Sequence, residues 1–214
     1  MGAKGIVFDF DGVLVLSEPL HMEAWIQLER EMNKPLPEGF LEEGLGHPDR
    51  KMAIELSRKW AGNPGAEIIL MEKQRIFRKM AARTCPLVPG IHEALAILVE
   101  VAPLAIATCS MRRDIEPIME SRGLNKYFKA IVTLDDVSQP KPHPEVYLKA
   151  AGDLDIEPED CYAFEDSRSG AEAARSAGLE VIALSTTTRP KLLEPYKALI
   201  KDFGDIKSIL KLVG

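Results

Sequence analysis

A chain of 214 residues that is 46% hydrophobic and 28% charged, with no low-complexity tract and no internal repeat, has the composition of an ordinary globular protein. The 33 acidic residues outnumber the 27 basic ones, and a formal charge of −6 argues against a general nucleic-acid or anionic-membrane binder. No apolar stretch reaches the roughly 20 residues of a bilayer span, and three widely spaced cysteines without a CxxC pair (Cys85, Cys109, Cys161) argue against a disulfide framework or a zinc site.

The chain enters a strand at once, GIVFDF from Gly5, where a signal peptide would show a different pattern, so a cytoplasmic location is expected. This strand ends in Asp9 and Asp11, two carboxylates two residues apart with Gly12 behind them. From about 17 to 84 the apolar residues recur at helical spacing (Leu20, Ala24, Leu28; Ala53, Leu56, Trp60; Ile69, Ile76, Met80), and no strand pattern interrupts them. The expectation is an all-helical insertion over 15–86, joined by linkers near 13–17 and 84–89 to an α/β core made of 1–14 and 87–214. An insertion on adjacent linkers can hinge, and a hinged cap is a common way to exclude water from a site.

From Gly90 onward, short apolar runs alternate with helical segments. PLAIAT (103–108) precedes a helix over about 112–122, KAIVTL (129–134) one over 144–153, CYAF (161–164) one over 169–177, and EVIAL (180–184) two short helical patterns. That alternation predicts a doubly wound parallel sheet of Rossmann-like type, with GIVFDF as one of its strands. Ser169 and Glu172 fit a capping box, and Gly178 a C-terminal stop. His47, His92 and His143 read as loop or helix-surface residues.

Ligands of open α/β sheets bind beyond the carboxyl ends of the strands. Collecting the residues just after each run gives Asp9 and Asp11, Thr108, Glu165 and Asp166, with Lys141 in the rigid QPKPHP loop. Four carboxylates on one rim repel each other unless a cation sits among them, and all-oxygen ligands suit magnesium. Lys141 and the Thr108 hydroxyl supply the positive charge and the donor that a phosphate needs beside carboxylates.

FDFDGVL (8–14), Thr108, Lys141 in KPHPEVY, and FEDSRSGAEAARSAGL (164–179) resemble the four motifs of the haloacid dehalogenase superfamily, in their usual order and over nearly the whole chain. The helical insertion resembles the cap of the subgroup that contains beta-phosphoglucomutase and many sugar-phosphate phosphatases. The resemblance implies Asp9 as nucleophile, forming an aspartyl-phosphate, and Asp11 as general acid and then base. It implies Gly12, Thr108, Cys109 and Lys141 as the phosphate-binding residues. Magnesium would be held by Asp9, the Asp11 carbonyl and Asp166, with Glu165 in the outer shell. His21, in an HxxxW context with Trp25, falls where mutase-like members carry a cap-hinge histidine. Arg50 and Arg112 are candidates to meet distal groups of the substrate. One departure stands out: Leu16 replaces a hinge aspartate that many relatives carry.

The expected activity is a magnesium-dependent phosphatase acting on a small phosphorylated metabolite, a sugar phosphate in the first instance, and the expected state is a monomer. The rival is a phosphomutase of the beta-phosphoglucomutase kind, although GLGHPDRKM does not reproduce the mutase pattern in register. A dehalogenase would need neither Asp11 nor the metal set. A non-enzymatic binding protein on the same scaffold would not need every catalytic position filled.

Overall fold

The computed structural model describes residues 2–44 and 49–214, so residues 45–48 of GLGHPDRKM, His47 among them, lie outside the described residues. Two compact units are present, Met1–Leu16 with Pro86–Gly214, and Ser17–Cys85. The first linker explains where they divide. Val15 pairs with Leu87, the Leu16 amide donates to the Pro86 carbonyl (2.8 Å), and the Val88 amide donates to the Leu14 carbonyl (3.0 Å). These hydrogen bonds bind residues 15, 16 and 86 to the α/β unit, which corrects the boundaries expected at 15 and 86.

In chain order, β1 (Gly5–Phe8) is followed by the helical unit: α1 (Glu18–Met32), α2 (Phe40–Gly44), α3 (Asp49–Lys59) and α4 (Ala66–Thr84). Its core is the apolar face seen in the periodicity, with Ala24, Trp25 and Leu28 from α1, Ala53 and Leu56 from α3, and Ile69, Ile76 and Phe77 from α4. Leu20 and Met80, expected on that face, are half-buried. Trp25 meets Phe40 edge to face, with centroids 5.6 Å apart.

The α/β unit continues with α5 (Ile91–Leu98), β2 (Leu104–Ala107), α6 (Arg112–Ser121), β3 (Phe128–Val132), α7 (Glu145–Leu154), β4 (Cys161–Glu165), α8 (Arg168–Ala177), β5 (Glu180–Leu184), β6 (Ala198–Ile200) and α9 (Ile206–Val213). The strands form one parallel sheet in the order β3-β2-β1-β4-β5-β6. Its middle strands are fully buried apolar runs, as a sheet covered on both faces requires. One face packs Phe8 against Phe164, with rings stacked at 4.9 Å and Phe203 beside both. The other packs Val7, Ala105 and Ala163 beneath Val146, Tyr147 and Ala150 of α7.

Two local expectations are corrected. The N-cap of α8 is Ser167, whose hydroxyl accepts from the Gly170 amide at 3.0 Å, so Ser169 and Glu172 lie inside the helix and form no capping box. The strand β6 has no counterpart among the strands expected from the sequence. It is three residues long and lies only half-buried at the sheet edge, so its alternation is too brief to register as a strand.

Candidate active site

Parallel register brings the ends of β1, β2 and β4 level. Phe8 pairs with Ile106 on one side and Phe164 on the other, so Asp9 leaves the sheet beside Thr108 and Glu165. The chain then turns sharply. Gly12 has φ +75, and a Cβ there would lie 1.9 Å from Asp166 Oδ2, so only glycine allows the β1 turn and the β4 turn to touch.

Lys141 is the hub of the cluster. Its side chain is 4% exposed, and its ammonium lies 3.0 Å from Asp9 Oδ1 and 2.7 Å from Glu165 Oε1. Burial works to lower its pKa, but the two carboxylates outweigh it and hold the ammonium well above its ordinary value. Tyr147 completes the hub by donating to Glu165 Oε1 at 2.9 Å.

Glu165 is fully buried, and both its oxygens are occupied. Oε1 accepts from Lys141 and Tyr147; Oε2 accepts from the Asp166 and Ser167 amides (2.9 Å each) and from the Ser167 hydroxyl (3.0 Å). Burial would raise this carboxyl, yet Lys141 and these donors hold it below its usual value. Gly170 makes room for it, since a Cβ there would lie 1.6 Å from Glu165 Oε1.

Asp9 and Asp166 behave oppositely. Burial pushes the Asp9 carboxyl well above its usual range despite Lys141, with the neighbouring carboxylates adding to the effect. Asp166 is pushed up to about 7, by burial first and Glu165 second. Ligand oxygens of Asp9, Glu165 and Asp166 all lie within 4.8 Å of one another. Three buried carboxylates against the single ammonium of Lys141 leave negative charge uncompensated. Because Glu165 has no oxygen to spare, Asp9 and Asp166 are the side chains that fit a hard divalent cation, with Glu165 behind them.

On the β2 side, Thr108 is buried and its hydroxyl accepts from the Ser110 amide at 3.0 Å. Ser110 in turn donates from its hydroxyl to Asp11 Oδ2. Cys109 accepts from the Lys141 amide at 3.3 Å, and burial raises its thiol, which keeps it protonated and structural. The α/β unit thus brings together Asp9, Asp11, Gly12, Thr108, Cys109, Lys141, Glu165 and Asp166, all the residues expected at the strand ends.

Arg112 is the exception in this unit. Its guanidinium donates to the Ile131 carbonyl (2.9 Å) and to Asp136 (2.8 Å), which fastens α6 to the end of β3. Within the helical unit, Arg50 pairs with Glu67 at 2.7 Å on an exposed surface. His21 stacks on Phe77, with centroids 3.9 Å apart, and its Nδ1 lies 2.6 Å from the ammonium of Lys73. Lys73 is wholly buried and held by both oxygens of Asp49 (2.6 and 2.7 Å).

Sequence reasoning missed Ser110, Tyr147, Lys73, Thr186 and Thr187. The strand-end rule that found Thr108 also points to Ser110, two residues on, and to Thr186 and Thr187 after EVIAL. The Thr186 hydroxyl donates to the Gly12 carbonyl at 2.6 Å and approaches Asp166 Oδ2 at 3.4 Å, and Thr187 donates to that same oxygen.

The model of the family described as haloacid dehalogenase-like hydrolase matches residues 6–184. The chain belongs to that family. It is 34% identical over 184 residues to a phosphorylated carbohydrates phosphatase of Thermotoga maritima, covering 84% of this chain and 83% of the relative. It is 28% identical to a beta-phosphoglucomutase of Bacillus subtilis, with 85% and 83% covered. Among solved structures, CbbY of Rhodobacter sphaeroides in complex with phosphate superposes with a TM-score of 0.81 at 27% identity, over 95% of this chain and 96% of that one.

Proposed function

We propose that this chain is a magnesium-dependent phosphatase that hydrolyses a phosphorylated carbohydrate through a phosphorylated Asp9. The observation that carries the reading is the placement of Asp9: a buried carboxylate at the carboxyl end of the central strand, 3.0 Å from the Lys141 ammonium and grouped with Glu165 and Asp166. The names of relatives support the substrate class, since the phosphatase of phosphorylated carbohydrates shares more identity with this chain than the mutase does.

Asp9 attacks the phosphorus, and the bond to the leaving oxygen breaks as Asp11 gives that oxygen its proton. Lys141 and the Thr108 hydroxyl hold the non-bridging oxygens, offsetting charge that would repel the incoming carboxylate. Ser110 fixes the Asp11 carboxyl through its hydrogen bond. In the second half, Asp11 takes a proton from water, whose oxygen attacks the phosphorus and frees Asp9 with inorganic phosphate. Asp9, the Asp11 carbonyl and Asp166 would hold magnesium, which would supply positive charge to offset that of the phosphate and the carboxylates.

The test is phosphorus NMR of the purified protein with magnesium and a panel of sugar phosphates, including beta-glucose 1-phosphate primed with a trace of the bisphosphate. Growth of inorganic phosphate is expected. An isomeric sugar phosphate appearing without free phosphate would replace this reading with the mutase.

A further inference from the structure

The loop after β5 places two hydroxyls on one carboxylate, and neither belongs to the residues that the phosphatase reading uses. Thr186 bridges the Gly12 carbonyl (2.6 Å) and Asp166 Oδ2 (3.4 Å). Thr187 donates to Asp166 Oδ2 as well. Three segments distant in sequence thereby meet at one oxygen: the turn after β1, the turn after β4 and the loop after β5. The Gly12 contact is close because the glycine lacks a Cβ.

The two oxygens of Asp166 are therefore unequal. Oδ2 is engaged by the threonines, whereas Oδ1 accepts no hydrogen bond among the described residues. The same asymmetry holds at Asp9, where Oδ1 accepts from the Phe10 amide (2.8 Å) and faces Lys141, and Oδ2 accepts none among the described residues. A carboxylate pinned by one oxygen presents the other in a fixed direction, which is how outer-shell donors orient metal ligands.

We infer that Thr186 and Thr187 are positioning residues for the divalent cation: they hold Asp166 by Oδ2 so that Oδ1 is presented as ligand, and Thr186 ties that carboxylate to the Asp9–Gly12 turn. This rests on the reading of Asp9 and Asp166 as the cation's ligands. Without the two hydroxyls, Asp166 can rotate away from Gly12 and must be reordered each time the cation binds.

The experiment is isothermal titration of magnesium into the metal-free protein, with no substrate present, for the wild type, Thr186→Val, Thr187→Val, the double variant and Thr187→Ser. Losing outer-shell donors typically weakens metal binding by about 10- to 100-fold, and that loss is expected for the double variant, with smaller losses in the singles. Thr187→Ser keeps the hydroxyl and is expected to bind as the wild type does. Circular dichroism melts establish that each variant is folded. Wild-type magnesium binding that is unchanged or tightened in the folded double variant would overturn the role of the threonines and leave the phosphatase reading standing. Absence of magnesium binding in the wild type would overturn both.

Discussion

Lys141 and Asp9 face each other at 3.0 Å, the lysine reaching from the loop before α7 and the aspartate from the end of β1. The lysine also holds Glu165 at 2.7 Å, so one ammonium serves two buried carboxylates. Removing it would strand both. Lys141→Met is expected to destabilise the α/β unit by about 3–5 kcal/mol, the usual consequence of breaking a buried ion pair from one side. Urea denaturation monitors it, and a loss below about 1 kcal/mol would mean that the pair is solvated.

Asp9 has the opposite character, because burial and its acidic neighbours disfavour its charge. Asp9→Asn keeps the shape and removes the charge. Turnover is expected to fall by at least about 10³-fold, as for loss of a nucleophile, while the melting temperature of the metal-free protein holds or rises. A lowered melting temperature would show that the Asp9 charge stabilises the site even without a cation.

The Asp166 carboxyl, pushed up to about 7, links pH to metal binding. With a folded value above the unfolded one of about 3.9, its contribution to stability is complete below pH 4 and is lost as pH rises through 7, since the folded state then carries a buried charge. A cation relieves that charge. Magnesium is therefore expected to raise the melting temperature more at pH 8 than at pH 6, and its apparent affinity to fall about tenfold per pH unit below 7. Equal shifts at both pH values would contradict the assignment.

Ser110 touches Asp11 and lies outside the phosphate contacts inferred from the motifs. Ser110→Ala is expected to lower kcat by about 10- to 100-fold, a part of the roughly 10²- to 10⁴-fold that general acid–base assistance supplies, with little change in stability. Unaltered steady-state kinetics would mean that Asp11 is oriented by other contacts.

Much of this site was legible because its residues follow strands whose apolar runs are unmistakable. Asp9 follows GIVF, Thr108 follows LAIA, and Asp166 follows CYAFE, so the strand-end rule reached them directly. Carried on to EVIAL, the same rule reaches Thr186 and Thr187. Tyr147 was hidden differently: it sits within α7, and nothing in a helical pattern says that its hydroxyl reaches back to Glu165. Lys73 was hidden by its charge, because a lysine on an amphipathic helix is ordinarily exposed, whereas here Asp49 and His21 allow its burial. β6 was illegible because three half-exposed residues carry almost no period. Ser169 took the capping role in the sequence reading through its spacing to Glu172, while Ser167 takes it in the fold because its hydroxyl also serves Glu165.

The most direct measurement is mass spectrometry of the enzyme quenched in acid during turnover of a phosphorylated carbohydrate, with peptides mapped across 5–15. A single phosphoryl group on Asp9, absent in Asp9→Asn and gone once substrate is exhausted, is the expected result. Steady turnover with Asp9 unmodified at every quench time, or full activity in Asp9→Asn, would contradict the central claim.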